Sequence, residues 1–175
     1  MIIVSDGSFF PDYQVGACAW ILATPDGDEW IETGGLVQGL PEDQSAYRSE
    51  LAGQVGAVSF IDAIDINVQN NTTLTTSCDG ISARRQVGKV PDQIRCSAQH
   101  VNLVSTMVDF WHLLQFDPHT EHVYGHRDDT SDYLTVPEHL HCRMDLLARS
   151  IALLQHIEGP VDPFPFIAVI EVLAP

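Results

Sequence analysis

Four acidic residues of this chain occupy contexts in which carboxylates could be gathered into one site. They are Asp6 in Ser5-Asp6-Gly7-Ser8, Glu50 in Tyr47-Arg48-Ser49-Glu50-Leu51-Ala52, Asp79 in Cys78-Asp79-Gly80, and Asp145 in Met144-Asp145-Leu146-Leu147-Ala148. Bare carboxylates brought together repel one another strongly. Hard divalent cations with oxygen ligands resolve that repulsion, and Mg²⁺ favours a few carboxylates completed by water and substrate phosphate. Two such ions about 3.5–4 Å apart can activate a water and stabilise the leaving oxygen of an in-line phosphoryl displacement. The chemistry these residue types suggest is phosphodiester hydrolysis assisted by Mg²⁺ or Mn²⁺.

The elements that must position these acids follow from hydrophobic patterning. Ile2-Ile3-Val4-Ser5 reads as a β-branched strand ending near Asp6 and Gly7, taken as turn residues. Residues 15–23 and 29–37 are two more apolar runs, joined by Thr24-Pro25-Asp26-Gly27-Asp28. There Pro presets φ and Gly supplies φ > 0, so three strands in an antiparallel meander are expected. From Ser45 to about Ile64 the apolar spacing of Leu51, Val55, Val58 and Ile61 predicts an amphipathic helix. Thr72–Ser77 predicts a fourth strand, 81–88 a short helix and 101–114 a longer one ended by Pro118. His122-Val123-Tyr124 predicts a fifth strand, followed by a polar loop to about His139. Residues 140–157 predict a final helix with Leu140, Met144, Leu147, Ile151 and Leu154 on one face. This order implies an α/β fold whose sheet has antiparallel and parallel portions. If strands one and four are parallel neighbours, Asp6 and Asp79 emerge at their carboxyl ends, the usual place for an α/β active site.

Taken together, the local contexts resemble the ribonuclease H family, in particular the divergent type found in retroelement polyproteins. Ser5-Asp6-Gly7-Ser8 resembles the family's Thr-Asp-Gly-Ser, and Arg48-Ser49-Glu50-Leu51 its Arg-x-Glu-Leu. Asp79 ends a strand, Val123-Tyr124-Gly125-His126 resembles Val-x-Gly-His, and Asp145 with Ala148 resembles the last acidic motif. The resemblance runs from Ile2 to about Leu154. It implies a ribonuclease H-like five-stranded mixed sheet, strands 1–3 antiparallel and strands 1, 4 and 5 parallel, flanked by helices. It further implies that Asp6, Glu50, Asp79 and Asp145 are metal ligands for two ions. His126 would shuttle protons or release product from a loop. The implied partner is an RNA/DNA hybrid, recognised through 2′-hydroxyls and duplex shape, with Gly7, Ser8, Arg48, Arg84, Arg85 and Lys89 as candidate contacts. The chain departs from the family pattern at Ala46 and Tyr47, where asparagine is frequent, and at Gly80, where serine is. Around His141 it lacks the usual asparagine.

The net charge of −16 weighs against a nucleic-acid partner, since such partners are held largely by Lys and Arg. The basic residues are clustered, however: Arg84, Arg85, Lys89 and Arg95 lie close together, and Arg48, Arg127, Arg143 and Arg149 flank the singled-out acids. Arg84, Arg85 and Lys89 read equally well as a solvated helix face or as phosphate contacts. A zinc reading of His119, His122, His126, His139, His141 and Cys142 lacks any paired ligand pattern, so surface histidines are expected. Trp20, Trp30 and Trp111 sit in periodic apolar runs and are expected in the core. The four scattered cysteines are expected as reduced thiols. No run is long enough to span a bilayer and no signal peptide is recognisable, which predicts an intracellular protein without a membrane partner. One domain over 1–158 is expected, with 159–175 as an extension docked upon it. The first motif lacks the Asp-x-Glu of proofreading-type exonucleases. The competing reading is a weak or inactive binding domain within a larger polyprotein, because fold resemblance alone does not confer activity.

Overall fold

The structure, a computed structural model, describes residues 1–64, 73–87, 89–94, 99–114 and 118–158. Residues 159–175, read above as a docked extension, and Arg95 lie outside the described residues. Five strands form one sheet: β1 (Ile2–Phe10), β2 (Val15–Ala23), β3 (Trp30–Leu36), β4 (Leu74–Cys78) and β5 (Pro118–His122). Their order is β3-β2-β1-β4-β5. β1 pairs antiparallel with β2 and β2 with β3, while β1–β4 and β4–β5 are parallel. Four helices accompany the sheet: α1 (Ala46–Ala63), α2 (Ile81–Arg84), α3 (Val101–Leu113) and α4 (Val136–Glu158). This is the mixed sheet expected from the pattern. No helix among the described residues is long and apolar enough to cross a membrane.

β2 explains how the layers are held. Both of its faces are covered, so it reads as a continuous apolar run rather than an alternating one. Trp20 and Leu22 pack with Ala57, Val58 and Ile61 of α1 and with Met107 and Trp111 of α3. Ala19, Ile21 and Ala23 point the other way, against Leu140, Met144 and Ala148 of α4. Both Trp20 and Trp111 are buried, as expected. On α4 the buried stripe passes through Ala148 and Ala152, whereas Leu154, expected on that face, is exposed. Small side chains let the helix lie close to the sheet, while Leu146, Leu153 and Leu154 are turned outward.

Four boundaries differ from the sequence-based expectation, the simplest being α2, which ends at Arg84 rather than near residue 88. β1 does not end at Asp6-Gly7 but continues to Phe10, because β2 pairs with it along its whole length. Gly7 is there for space rather than for a turn: a Cβ on it would come closer than 3.0 Å to main-chain atoms of Ser49 and Glu50. β5 covers Pro118–His122 instead of 122–124, with Pro118 at the first strand position, where its missing N–H is tolerated. α4 begins at Val136, earlier than the expected 140. Its start is a reciprocal cap, in which the Thr135 N–H and Oγ1 each donate to Glu138 Oε2 at 2.8 Å and the Glu138 N–H donates to Thr135 Oγ1 at 3.4 Å. Thr135-Val136-Pro137-Glu138 is a capping box with proline near the start, a signal visible in the sequence. Replacing Thr135 with alanine is expected to cost about 1 kcal/mol, read as a lower denaturation midpoint with an unchanged slope.

Candidate active site

The parallel pairing of β1 with β4 ends at Val4 and Ser77. Asp6 and Asp79 each lie two residues beyond that last pair. Side chains alternate along a strand, so both carboxylates keep to the face of the sheet that Val4 presents to α4. Asp6 is 5% exposed, and the Asp79 side chain is 32% exposed at the sheet edge.

Glu50 arrives from the opposite layer, one turn into α1. Ser45 caps that helix, its Oγ accepting from the Arg48 N–H at 3.1 Å. Two glycines clear the way for Glu50. Gly7 lets the first turn of α1 press against β1, and a Cβ on Gly80 would lie 3.1–3.3 Å from the Glu50 carboxyl group. The absence of serine after Asp79 therefore has a spatial reason. Asp145 completes the set from α4, with Arg149 Nη1 at 3.6 Å and His126 Nδ1 at 3.9 Å from its Oδ2.

Asp6 thus lies within electrostatic reach of Glu50, Asp79 and Asp145, and His141 joins them. It precedes Asp145 by one helical turn, so α4 presents both on one face. Its Nε2 stands 3.4 Å from Asp6 Oδ1 and 3.5 Å from Asp79 Oδ1, with the imidazole 3% exposed. Asp6, Asp79 and His141 offer ligand atoms that all lie within 4.8 Å of one another. His141 was not among the expected site residues. Its signal was only its place four residues before Asp145, where the missing asparagine had been noted. Of the other histidines in the zinc reading, none joins a metal-competent cluster among the described residues.

The remaining candidates are more scattered. His126 adopts a left-handed backbone (φ 53°), and its side chain is 64% exposed, lying beside Asp145. Gly7 and Ser8 continue β1 past the acids. Arg48 is buried, and its Nε and Nη2 donate to the Gln38 carbonyl at 2.9 and 2.5 Å. Its Nη1 stands 3.3 Å from His100 Nδ1, so the guanidinium braces the loop before α1. A phosphate contact by Arg48 would require that loop to release it. Arg84 and Arg85 sit at the end of α2, Arg85 exposed, and Lys89 Nζ donates to Gln86 Oε1 at 2.6 Å.

Burial is the largest influence on the buried acids. It pushes the Glu50 carboxyl well above its usual range, reinforced by the neighbouring Asp6 and Asp79. Asp6 is likewise raised, chiefly by burial, with Asp79 and Asp145 adding to the rise and His141 opposing it. Asp79 feels burial too, but the His141 imidazole outweighs it and leaves Asp79 below the usual value. His141, despite its burial, is pushed up to about 10 by the two aspartates.

These shifts predict the pH dependence of the metal-free protein. Glu50 and Asp6 favour the folded state while neutral, a contribution present below their unfolded pKa values and lost as pH rises through the raised ones. His141 favours it while cationic, fully so below 6.5 and no longer once pH passes about 10. Asp79 acts oppositely, contributing above 3.8 and losing its effect as pH falls through its lowered value. Thermal melts in EDTA are therefore expected to show a midpoint that declines from about pH 5 to about pH 10. His141→Asn is expected to flatten the alkaline part of that decline.

The donor set fits divalent cations. Glu50 Oε2, Asp79 Oδ1 and both ring nitrogens of His141 are buried without a directed hydrogen bond. Buried polar atoms left in this state are costly unless a ligand satisfies them.

No protein-family model matches the sequence, and no curated protein matches it. Solved structures do. The chain is similar to RNase H1 from the halophilic archaeon Halobacterium salinarum NRC-1, at 14% identity over 86% of this chain and 95% of that one, with a TM-score of 0.57. It is similar to LC11-RNase H1, solved in complex with an RNA/DNA hybrid, at 9% identity over 89% and 98% of the two chains and a TM-score of 0.66. The N-terminal RNase H domain of rv2228c from Mycobacterium tuberculosis matches at 14% identity over 87% and 99%, with a TM-score of 0.54. The chain has the ribonuclease H fold.

Proposed function

We propose that this ribonuclease H-like domain is a metal-dependent endonuclease that hydrolyses the RNA strand of RNA/DNA hybrids. The observation that carries the reading is the convergence of Asp6, Glu50, Asp79 and Asp145 from four separate elements, with Glu50 Oε2 and Asp79 Oδ1 buried and lacking a well-aligned hydrogen bond. A purely structural cluster would be expected to pair those oxygens with donors. The hybrid bound to LC11-RNase H1, a protein of the same fold, supports the choice of substrate.

In this reading the four acids hold Mg²⁺ or Mn²⁺, two ions in all. The chemistry such ions supply is a more acidic bound water and a stabilised leaving oxygen. The chain's own groups do the rest. Asp6 and the Glu50 Oε2 are withdrawn from bulk water, while Asp79 stays open to it at the sheet edge. His126, exposed beside Asp145, is placed to take up or deliver a proton at its imidazole. Gly7 and Ser8 lie next to Asp6 along β1, and Arg84, Arg85 and Lys89 follow Asp79, so all five are proposed as contacts to the substrate backbone.

The net charge of −16 opposes the approach of phosphate and strains the fold through self-repulsion. Added salt screens both effects. Raising KCl from about 0.05 to about 0.5 M is expected to raise the thermal midpoint of the free protein.

A second reading, a non-catalytic binding domain, is favoured by one feature: the His141 imidazole sits between Asp6 and Asp79 and could serve as their counter-charge. The deciding experiment is cleavage of an end-labelled RNA/DNA hybrid with Mg²⁺ or Mn²⁺, alongside Asp79→Asn and alongside RNA alone. Metal-dependent, hybrid-specific cutting that the variant loses is the expected result. A folded wild-type protein that cuts with neither ion would establish the binding-domain reading instead.

A further inference from the structure

We infer that His141 is itself a metal ligand and turns the site from an all-oxygen centre into a mixed nitrogen–oxygen one, which favours Co²⁺ or Zn²⁺ over Mg²⁺. The inference rests on the reading of the carboxylates as metal ligands and adds which metals they take.

The imidazole is 3% exposed and packed among ligating groups; its Nδ1 makes no hydrogen bond among the described residues, and its Nε2 meets Asp6 and Asp79 only at ion-pair spacing. A buried histidine with a structural role normally spends at least one nitrogen on a carbonyl, hydroxyl or carboxylate. Here Nε2 lies 3.4 Å from Asp6 Oδ1 and 3.5 Å from Asp79 Oδ1 without aiming an N–H at either. Ligand atoms about 2.0–2.1 Å from a common ion stand roughly 3.0–3.4 Å from one another, near the observed spacings. His141 is also held in place from behind. The helix carrying it is anchored by buried Leu140 and Met144, which fixes its backbone beside the acids.

Donor chemistry then sets the choice of metal. Carboxylate, carbonyl and water suit Mg²⁺ and Mn²⁺, whereas imidazole suits Zn²⁺ and the later first-row ions, Co²⁺ among them. Replacing an oxygen donor by Nε2 strengthens the site for the second group and does little for Mg²⁺, which accepts oxygen ligands in preference.

The test measures metal binding directly, with no nucleic acid present. Co²⁺, Zn²⁺ and Mg²⁺ are titrated calorimetrically into metal-free wild type and His141→Asn, both verified as folded by circular dichroism. His141→Asn is expected to lower Co²⁺ and Zn²⁺ affinity by about 100-fold, since loss of even an outer partner of a ligand costs 10–100-fold. Mg²⁺ affinity is expected to stay the same or rise. In wild type labelled with ¹⁵N-histidine, Zn²⁺ is expected to move the His141 Nε2 resonance to a metal-bound position. That readout stands even if the variant fails to fold. Co²⁺ and Zn²⁺ affinities that hold or rise in His141→Asn, or an imidazolium signal persisting at Zn²⁺ saturation, would overturn the inference and make His141 a counter-charge that competes with metal. Hybrid cleavage is decided separately. Histidine-dependent Zn²⁺ binding without cutting would remove the nuclease reading alone, and Mg²⁺-driven cutting with His141-independent binding would remove this one alone.

Discussion

Glu50→Gln is expected to reduce hybrid cleavage by roughly 10³-fold or more, equivalent to about 4 kcal/mol of transition-state stabilisation. The same substitution is expected to make the metal-free protein more stable at neutral pH. The two effects share one cause. Glu50 is buried beside Asp6 and Asp79, which holds its carboxyl well above the usual range, so ionising it works against the fold. Glutamine fills the same space between Gly80 and α1 without the charge. Single-turnover cleavage and paired melts in EDTA and in Mn²⁺ check this. The variant's midpoint should exceed that of wild type in EDTA, and the gap should close or reverse in Mn²⁺, because metal stabilises only a protein that binds it. A variant that cuts normally would remove Glu50 from the catalytic set. A variant less stable than wild type in EDTA would show that the carboxylate is tolerated at no cost.

Gly7→Ala is the second large effect. A Cβ there overlaps main-chain atoms of Ser49 and Glu50, which cannot rotate away as a side-chain tip could. Overpacking of this kind typically costs about 1–3 kcal/mol. The only relief is to move the first turn of α1 away from β1, and Glu50 moves with it. A displacement of about 1 Å of a positioned group can lower turnover by about 10²-fold. Denaturant unfolding and hybrid cleavage should therefore fail together, and metal affinity should weaken as well. Gly35 provides the control, since nothing lies within 4 Å of a Cβ at that position. Gly35→Ala should leave cleavage intact, and full activity in Gly7→Ala would show that α1 does not need this close approach.

The strand–helix order, the mixed sheet and the elements that carry Asp6, Glu50, Asp79 and Asp145 were legible in the sequence. Most elements have clear apolar periods, and Glu50, Asp79 and Asp145 sit in motifs tied to an element end or helix turn, whereas Asp6 lies inside β1. The extent of β1 was not legible. Asp6-Gly7 looks like turn chemistry in isolation, and only pairing with β2 carries the strand through it. The start of α4 was available but unread, since Thr135-Val136-Pro137-Glu138 announces a helix before its apolar stripe begins. Local patterning could not reveal the directions of the basic side chains either. Arg48 belongs to a motif that suggests substrate contact, yet its guanidinium meets the Gln38 carbonyl from a loop ten residues earlier in the chain.

By itself the sequence determined which carboxylates exist and on which elements they ride, because hydrophobic period and motif context are local properties of the chain. Only the tertiary structure decided that His141 enters the cluster and that Gly7 and Gly80 leave the room Glu50 occupies. Those facts depend on how closely α1 and α4 approach the sheet from its two faces. That closeness is set by side chains far apart in the chain, Ala148 and Ala152 against β1 and β2 and Gly7 against Ser49, whose joint packing no single stretch of sequence records.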